Sequence, residues 1–176
     1  MDRVGKIRHF SCPLWEAIPD QGLFNQEVVA YIQSVLEPIR IEEPIITSTM
    51  IQNYSKWHLI PKLRGRKYRR DQLAVLLILS IYKQVLRMDQ VKQGMDLQLN
   101  KMAIQSAYNV FARSLNSAIQ DCFKQVGNPA GLSIEAMAFS KNTEGVELVS
   151  RAYAFKLLAT LIINSGGYQE LGEKHD

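Results

Sequence analysis

A chain of 176 residues with 47% hydrophobic and 22% charged side chains has the make-up of a folded globular protein, which excludes wholesale disorder and a multi-span membrane protein. Its longest apolar stretch, Leu73 to Tyr82, is far short of the roughly 20 residues that cross a bilayer, and no apolar run with a cleavage site opens it, so it reads as cytoplasmic with no membrane partner. Net charge is only +4, and Cys12, Cys122, His9, His58 and His175 share no disulfide or ligand spacing, so reduced thiols, no metal and no cofactor are expected.

In chain order, residues 1–24 form an arm that Trp15, in LWEAIP, pins to the rest. Asn25 to Leu36, NQEVVAYIQSVL, carries Val28, Val29, Ile32, Val35 and Leu36 at helical spacing, with Asn25 as its cap and Pro38 close behind its end. After the linker IRIEEP, Thr47 or Ser48 caps a short helix that stops before Pro61. On a 3.6-residue period Thr49, Gln52, Asn53 and Lys56 share one stripe, while Met50, Ile51, Tyr54 and His58 occupy the other side. In PKLRGRKYRR, Gly65 separates two short segments that read as a β-hairpin with Arg64 and Arg66 at its tip. DQLAVLLILSIYKQVL is a third helix whose Leu73, Leu76, Leu77, Ser80 and Ile81 pack beneath the first two. Apolar positions from Leu99 to Val126 recur at steps of three and four, which predicts one helix of about 28 residues and roughly 40 Å. Gly127, Pro129 and Gly131 break the chain; Ser133 to Phe139 reads as a short helix and Val146 to Ile163 as a last one, ended by Gly166 and Gly167 and apolar enough to be buried in a bundle or against a second subunit.

The positive charge is concentrated. Between Pro44 and Arg70 lie seven basic residues, Lys56, Lys62, Arg64, Arg66, Lys67, Arg69 and Arg70, and no acidic one, which leaves the rest of the chain slightly acidic. One sign gathered in one segment, interleaved with Tyr54, Trp57 and Tyr68, is what a phosphate backbone calls for. Gln and Asn on the preceding stripe match the bidentate pattern of adenine, and Lys reaches guanine or phosphate.

Helix, helix, basic hairpin and helix in that order describe a winged helix-turn-helix. The runs ITSTMIQNYSKWHLIP and KYRRDQL resemble the helix-turn-helix and wing of MerR-type transcription regulators. PLWEAIPD, TSTMIQNY, LIPK, KYRR and IYKQVL together resemble a bacterial family of uncharacterised proteins assigned a MerR-like DNA-binding domain, over about Pro13 to Phe111. The resemblance implies that Ile51 is the buried aliphatic of a recognition helix, that Tyr54 faces the phosphate backbone, and that Tyr68 closes the wing. Arg69 stands where a hydroxyl cap is usual, and Gln52 where arginine is common.

The expected fold is therefore mainly α: an arm at 1–24, a MerR-like winged helix-turn-helix with a small β-hairpin wing at 25–92, and a helical dimerisation or effector region at 93–176. The expected function is sequence-specific binding of double-stranded DNA by a homodimeric transcriptional regulator, through Thr49, Gln52, Asn53, Tyr54, Lys56, Lys62, Arg64, Arg66, Lys67 and Arg69. The alternative is an all-α interaction module whose basic segment meets an acidic partner. Neither a Gly-rich phosphate loop nor a nucleophile motif is present, so no enzyme is expected. A small-molecule effector is left open.

Overall fold

The computed structural model describes residues 2–128, 130–133 and 138–172. Helix α1 (Arg3–Arg8) begins where Asp2 accepts the Gly5 N–H at 2.6 Å. α2 (Asn25–Leu36) and α3 (Ser48–Lys56) follow, then α4 (Arg70–Tyr82), α5 (Met88–Leu99), α6 (Ile104–Phe123), α7 (Glu144–Asn164) and the short α8 (Tyr168–Gly172). Three starts share one device: Glu27, Gln72 and Gln90 each accept the N–H of the residue three places earlier, at 2.7, 2.9 and 3.1 Å.

α4 is the hub. Every residue from Gln72 to Tyr82 is buried, as its lack of a polar face requires, and Ser80 satisfies its hydroxyl on the Leu76 carbonyl at 2.7 Å. α2 and α6 pack on it, and so does α7, which also lies along α6. A single cluster of buried side chains runs from Val4 to Leu161.

The arm is strapped along α6 by hydrogen bonds to its backbone. Asn116 accepts the Cys12 N–H at 2.7 Å and donates to the Cys12 carbonyl at 3.2 Å; Asn109, two turns earlier on the same face, accepts the Trp15 N–H at 2.9 Å, and the Tyr108 hydroxyl donates to the Pro13 carbonyl at 2.7 Å. Trp15 is buried with its ring 6.2 Å from that of Tyr108. Arg8 donates to the Phe123 carbonyl at 3.1 Å and to that of Val126, closing the end of α6 with a cation. Cys12 and Cys122 are free and buried.

Several expectations are corrected. No β-strand occurs among the described residues, so the hairpin wing, and with it the winged helix-turn-helix, is absent. Gly65 does turn the chain, at φ +90°, but the backbone groups a hairpin needs are engaged elsewhere. Tyr68 exchanges both hydrogen bonds with Leu23, each 2.8 Å, as an isolated antiparallel bridge, while the Gln72 amide donates to the carbonyls of Pro61 and Lys62 at 3.3 and 3.4 Å. The helix predicted from Leu99 to Val126 is shorter: α6 runs only from Ile104 to Phe123, and Leu99 instead ends α5, with Asn100 to Ala103 between the two. Asn25 is the first residue of α2 rather than its cap, a place taken by the extended Phe24. The proposed helix at Ser133 to Phe139 lies largely outside the described residues. No helix among the described residues is long and apolar enough to cross a membrane, and none of their His, Cys, Asp and Glu side chains gather into a metal-binding group.

Candidate nucleic-acid interface

α3 carries the polar stripe, and its packing settles which way the stripe faces. Ile51 and Tyr54 are buried, Thr49, Gln52 and Lys56 are exposed, and Asn53 is half-buried. Thr47 starts the helix by accepting the Met50 N–H at 3.1 Å. The helix stops in a left-handed cap: His58 has φ 54°, Leu59 donates to the Tyr54 carbonyl at 2.9 Å, and His58 to that of Ser55 at 3.1 Å. Tyr54 is 4% exposed and burial pushes its phenol up, so it belongs to the core. Its neighbour Trp57, ring 6.3 Å away, is 55% exposed and lies on the surface beside Lys56.

The chain then enters the loop Pro61 to Arg69, which is fixed at both ends. Ile60 and Tyr68 are buried anchors, and between them Lys62, Arg64, Arg66 and Lys67 are exposed. Besides the Leu23 bridge and the two Gln72 bonds, Arg69 donates to the Asp20 carbonyl at 3.1 Å. Arg70 donates to that of Ile18 at 3.0 Å and meets Glu16 at 3.5 Å. The ordering entropy of the loop is thus met within the fold.

Arg70 alone of the seven cations has a carboxylate partner among the described residues. Arg69 is exposed although its guanidinium is tethered. Lys67 holds its ammonium 4.8 Å from the centre of the Phe24 ring, itself 52% exposed. Gly22 makes room for this: at φ +83°, a side chain there would be strained and its Cβ would lie 3.2 Å from the Lys67 Cβ. Lys62 follows Lys56 by six residues, so the end of the α3 stripe and the first loop cation lie within about 20 Å of each other.

The structure thus brings Thr49, Gln52, Lys56, Lys62, Arg64, Arg66, Lys67 and Arg69 to the surface of one continuous segment, with Asn53 half-covered and Tyr54 withdrawn. Sequence reasoning passed over Phe24, Gly22 and the Asp20 carbonyl. They precede α2, about 45 residues from the loop, and the Leu23–Tyr68 bridge brings them beside it. Behind the α3 cap lies a cleft of about 210 Å³ lined by residues that include His58, Pro61, Met95 and the Lys92–Asp96 pair, 2.6 Å apart.

Over residues 13–111 the chain matches the model of a family described as a domain of unknown function, DUF1836. It belongs to that family. The DUF1836 segment runs from the strapped arm through α2 to α5 and into α6, and contains the whole basic surface. The implied kinship with MerR-type regulators is overturned, since the matching family carries no such description and the hairpin wing has no counterpart among the described residues. No curated protein and no solved structure matches the chain.

Proposed function

We propose that this DUF1836 protein binds double-stranded DNA as a homodimeric transcriptional regulator, with the cytoplasm as its place of action. The observation that carries the reading is the fixed loop Pro61–Arg69, whose cations stand exposed with no carboxylate beside them among the described residues. A cluster without counter-charge is electrostatically costly unless an anion covers it, and a phosphate backbone supplies evenly spaced anions. Lys62, Arg64, Arg66, Lys67 and Arg69 hold phosphates in this reading, while Thr49, Gln52, Asn53 and Lys56 approach base edges. Without a wing, the loop meets the duplex as a rigid basic ridge, and Tyr54 acts from inside by seating α3.

The test is fluorescence anisotropy of a labelled random-sequence duplex titrated with the full chain from 50 to 300 mM salt. Binding should weaken linearly on a log–log plot, and Arg64→Ala with Arg66→Ala should lower the slope by about 0.9 for each phosphate contact removed. An unchanged slope in the folded double variant, or no duplex binding at 50 mM salt, overturns the reading; capture of an acidic polypeptide under those conditions would favour a protein partner.

A further inference from the structure

The geometry points to a second copy of this chain as the partner of α7, paired antiparallel through a stripe that is complementary to itself. This deepens the homodimer half of the proposed function by naming the surface. One side of α7 is buried in the core by Val146, Ser150, Tyr153, Ala154, Leu157, Leu158 and Leu161. The other side presents Gly145, Leu148, Ala152, Phe155 and Ala159, with Ile162, half-buried against the core, at its end; the steps alternate between three and four, which places them on one seam along the helix. Leu148 is 51% and Phe155 39% exposed, and Ile163, at the seam's edge, 76%.

Large and small residues alternate along this seam, and they alternate about a centre. With a two-fold axis between Tyr153 and Ala154, Phe155 lies opposite Ala152 of the second copy, Leu148 opposite Ala159, and Ile162 opposite Gly145. Every layer then sets a large side chain on a small one, the arrangement that fills space without overpacking. That axis falls at the middle of α7, so the two helices overlap along their full length. A parallel pairing in register would instead stack Phe155 on Phe155 and Ala152 on Ala152.

Charge selects the same occupant. Apart from the exposed Glu144 at its first turn, the seam holds no ionisable group, and the other charges bordering it are engaged within the chain: Arg151 with Asp121 at 3.2 Å, Lys156 with Glu42 at 3.6 Å and the Gln84 carbonyl at 2.9 Å, and Glu147 with the Thr143 hydroxyl at 2.6 Å. A nucleic acid finds no free cation along the seam, and an acidic peptide none either. The seam is about 25 Å long and about 10 Å wide, roughly 250 Å² of footprint on each copy and below the roughly 1,200 Å² total at which stable interfaces begin, so the dimer is weak and concentration-dependent.

The test uses the full chain without nucleic acid. Sedimentation velocity from 5 to 500 µM should pass from the 20.0 kDa monomer to a species of twice that mass. Ala152→Arg, at an exposed position, should keep the thermal melt and remain monomeric throughout. For orientation, Ala152→Cys and Phe155→Cys proteins mixed and oxidised should give chiefly the mixed disulfide, which requires Cα atoms within about 7 Å; Cys12 and Cys122 are buried and contribute no background. A monomer at 500 µM, a dimer that survives Ala152→Arg, or a dominant 152–152 disulfide overturns the proposal. Loss of dimerisation leaves duplex binding by the loop untouched, and a failure to bind duplex leaves the dimer untouched, so the two readings fail separately.

Discussion

Asn116→Ala tests whether the arm is held to α6 by its backbone bonds. Asn116 accepts the Cys12 N–H and donates to the Cys12 carbonyl, and Cys12 is only 1% exposed. Two hydrogen bonds at about 0.5–1.5 kcal/mol each, with part of the further cost of a buried amide left without a partner, amount to about 2–3 kcal/mol. For a chain of this length that is a fall in Tm of about 5–10 °C. Urea unfolding gives the free energy, and hydrogen exchange gives the place: protection should drop first at residues 11–18, ahead of α4 and α6. A loss below about 0.5 kcal/mol, or a loss spread evenly over the chain, refutes the strap as a local clasp.

Two further outcomes follow from backbone strain and buried acids. His58→Gly relieves a left-handed residue, worth about 1–2 kcal/mol, against about 0.5–1 kcal/mol of added unfolded-state entropy, so the urea midpoint should rise, whereas His58→Ala should not raise it. Burial pushes Cys12 up to about 12 and Cys122 up to about 11 from an ordinary 9.0, and Tyr31 up to about 12 from 10.0. The folded chain therefore binds these protons more tightly than the unfolded chain. Stability should be intact below pH 9 and fall as pH rises from 9 toward 12. A stability that grew with pH over that range, or thiols that react with a disulfide reagent at pH 8 faster than the chain unfolds, would contradict the burial.

What the sequence legibly held was local. Hydrophobic period placed α2, α4 and α7, Thr47 announced the start of α3, and the one-signed run from Lys56 to Arg70 located the basic surface, because each is a property of neighbours in the chain. The period at 99–126 misled because an apolar repeat does not mark where a helix begins: Leu99 ends α5, Asn100 to Ala103 break the chain, and α6 carries the repeat only from Ile104. The hairpin misled for a related reason. Gly65 permits the turn, but whether two short strands pair depends on what else competes for their amides.

By itself, then, the sequence determined the helical character, the apolar faces and the site of the positive charge, all set by side chains within a few residues of one another. Only the tertiary structure decided how the basic loop is held and which apolar face is left outside. Leu23, Gln72 and Asp20 claim the backbone and cations of the loop, and α6 takes one face of α7 while Leu148, Ala152, Phe155 and Ala159 on the other stay open. Those are outcomes of competition between distant segments for the same hydrogen bonds and the same core, and no local pattern records which segment wins.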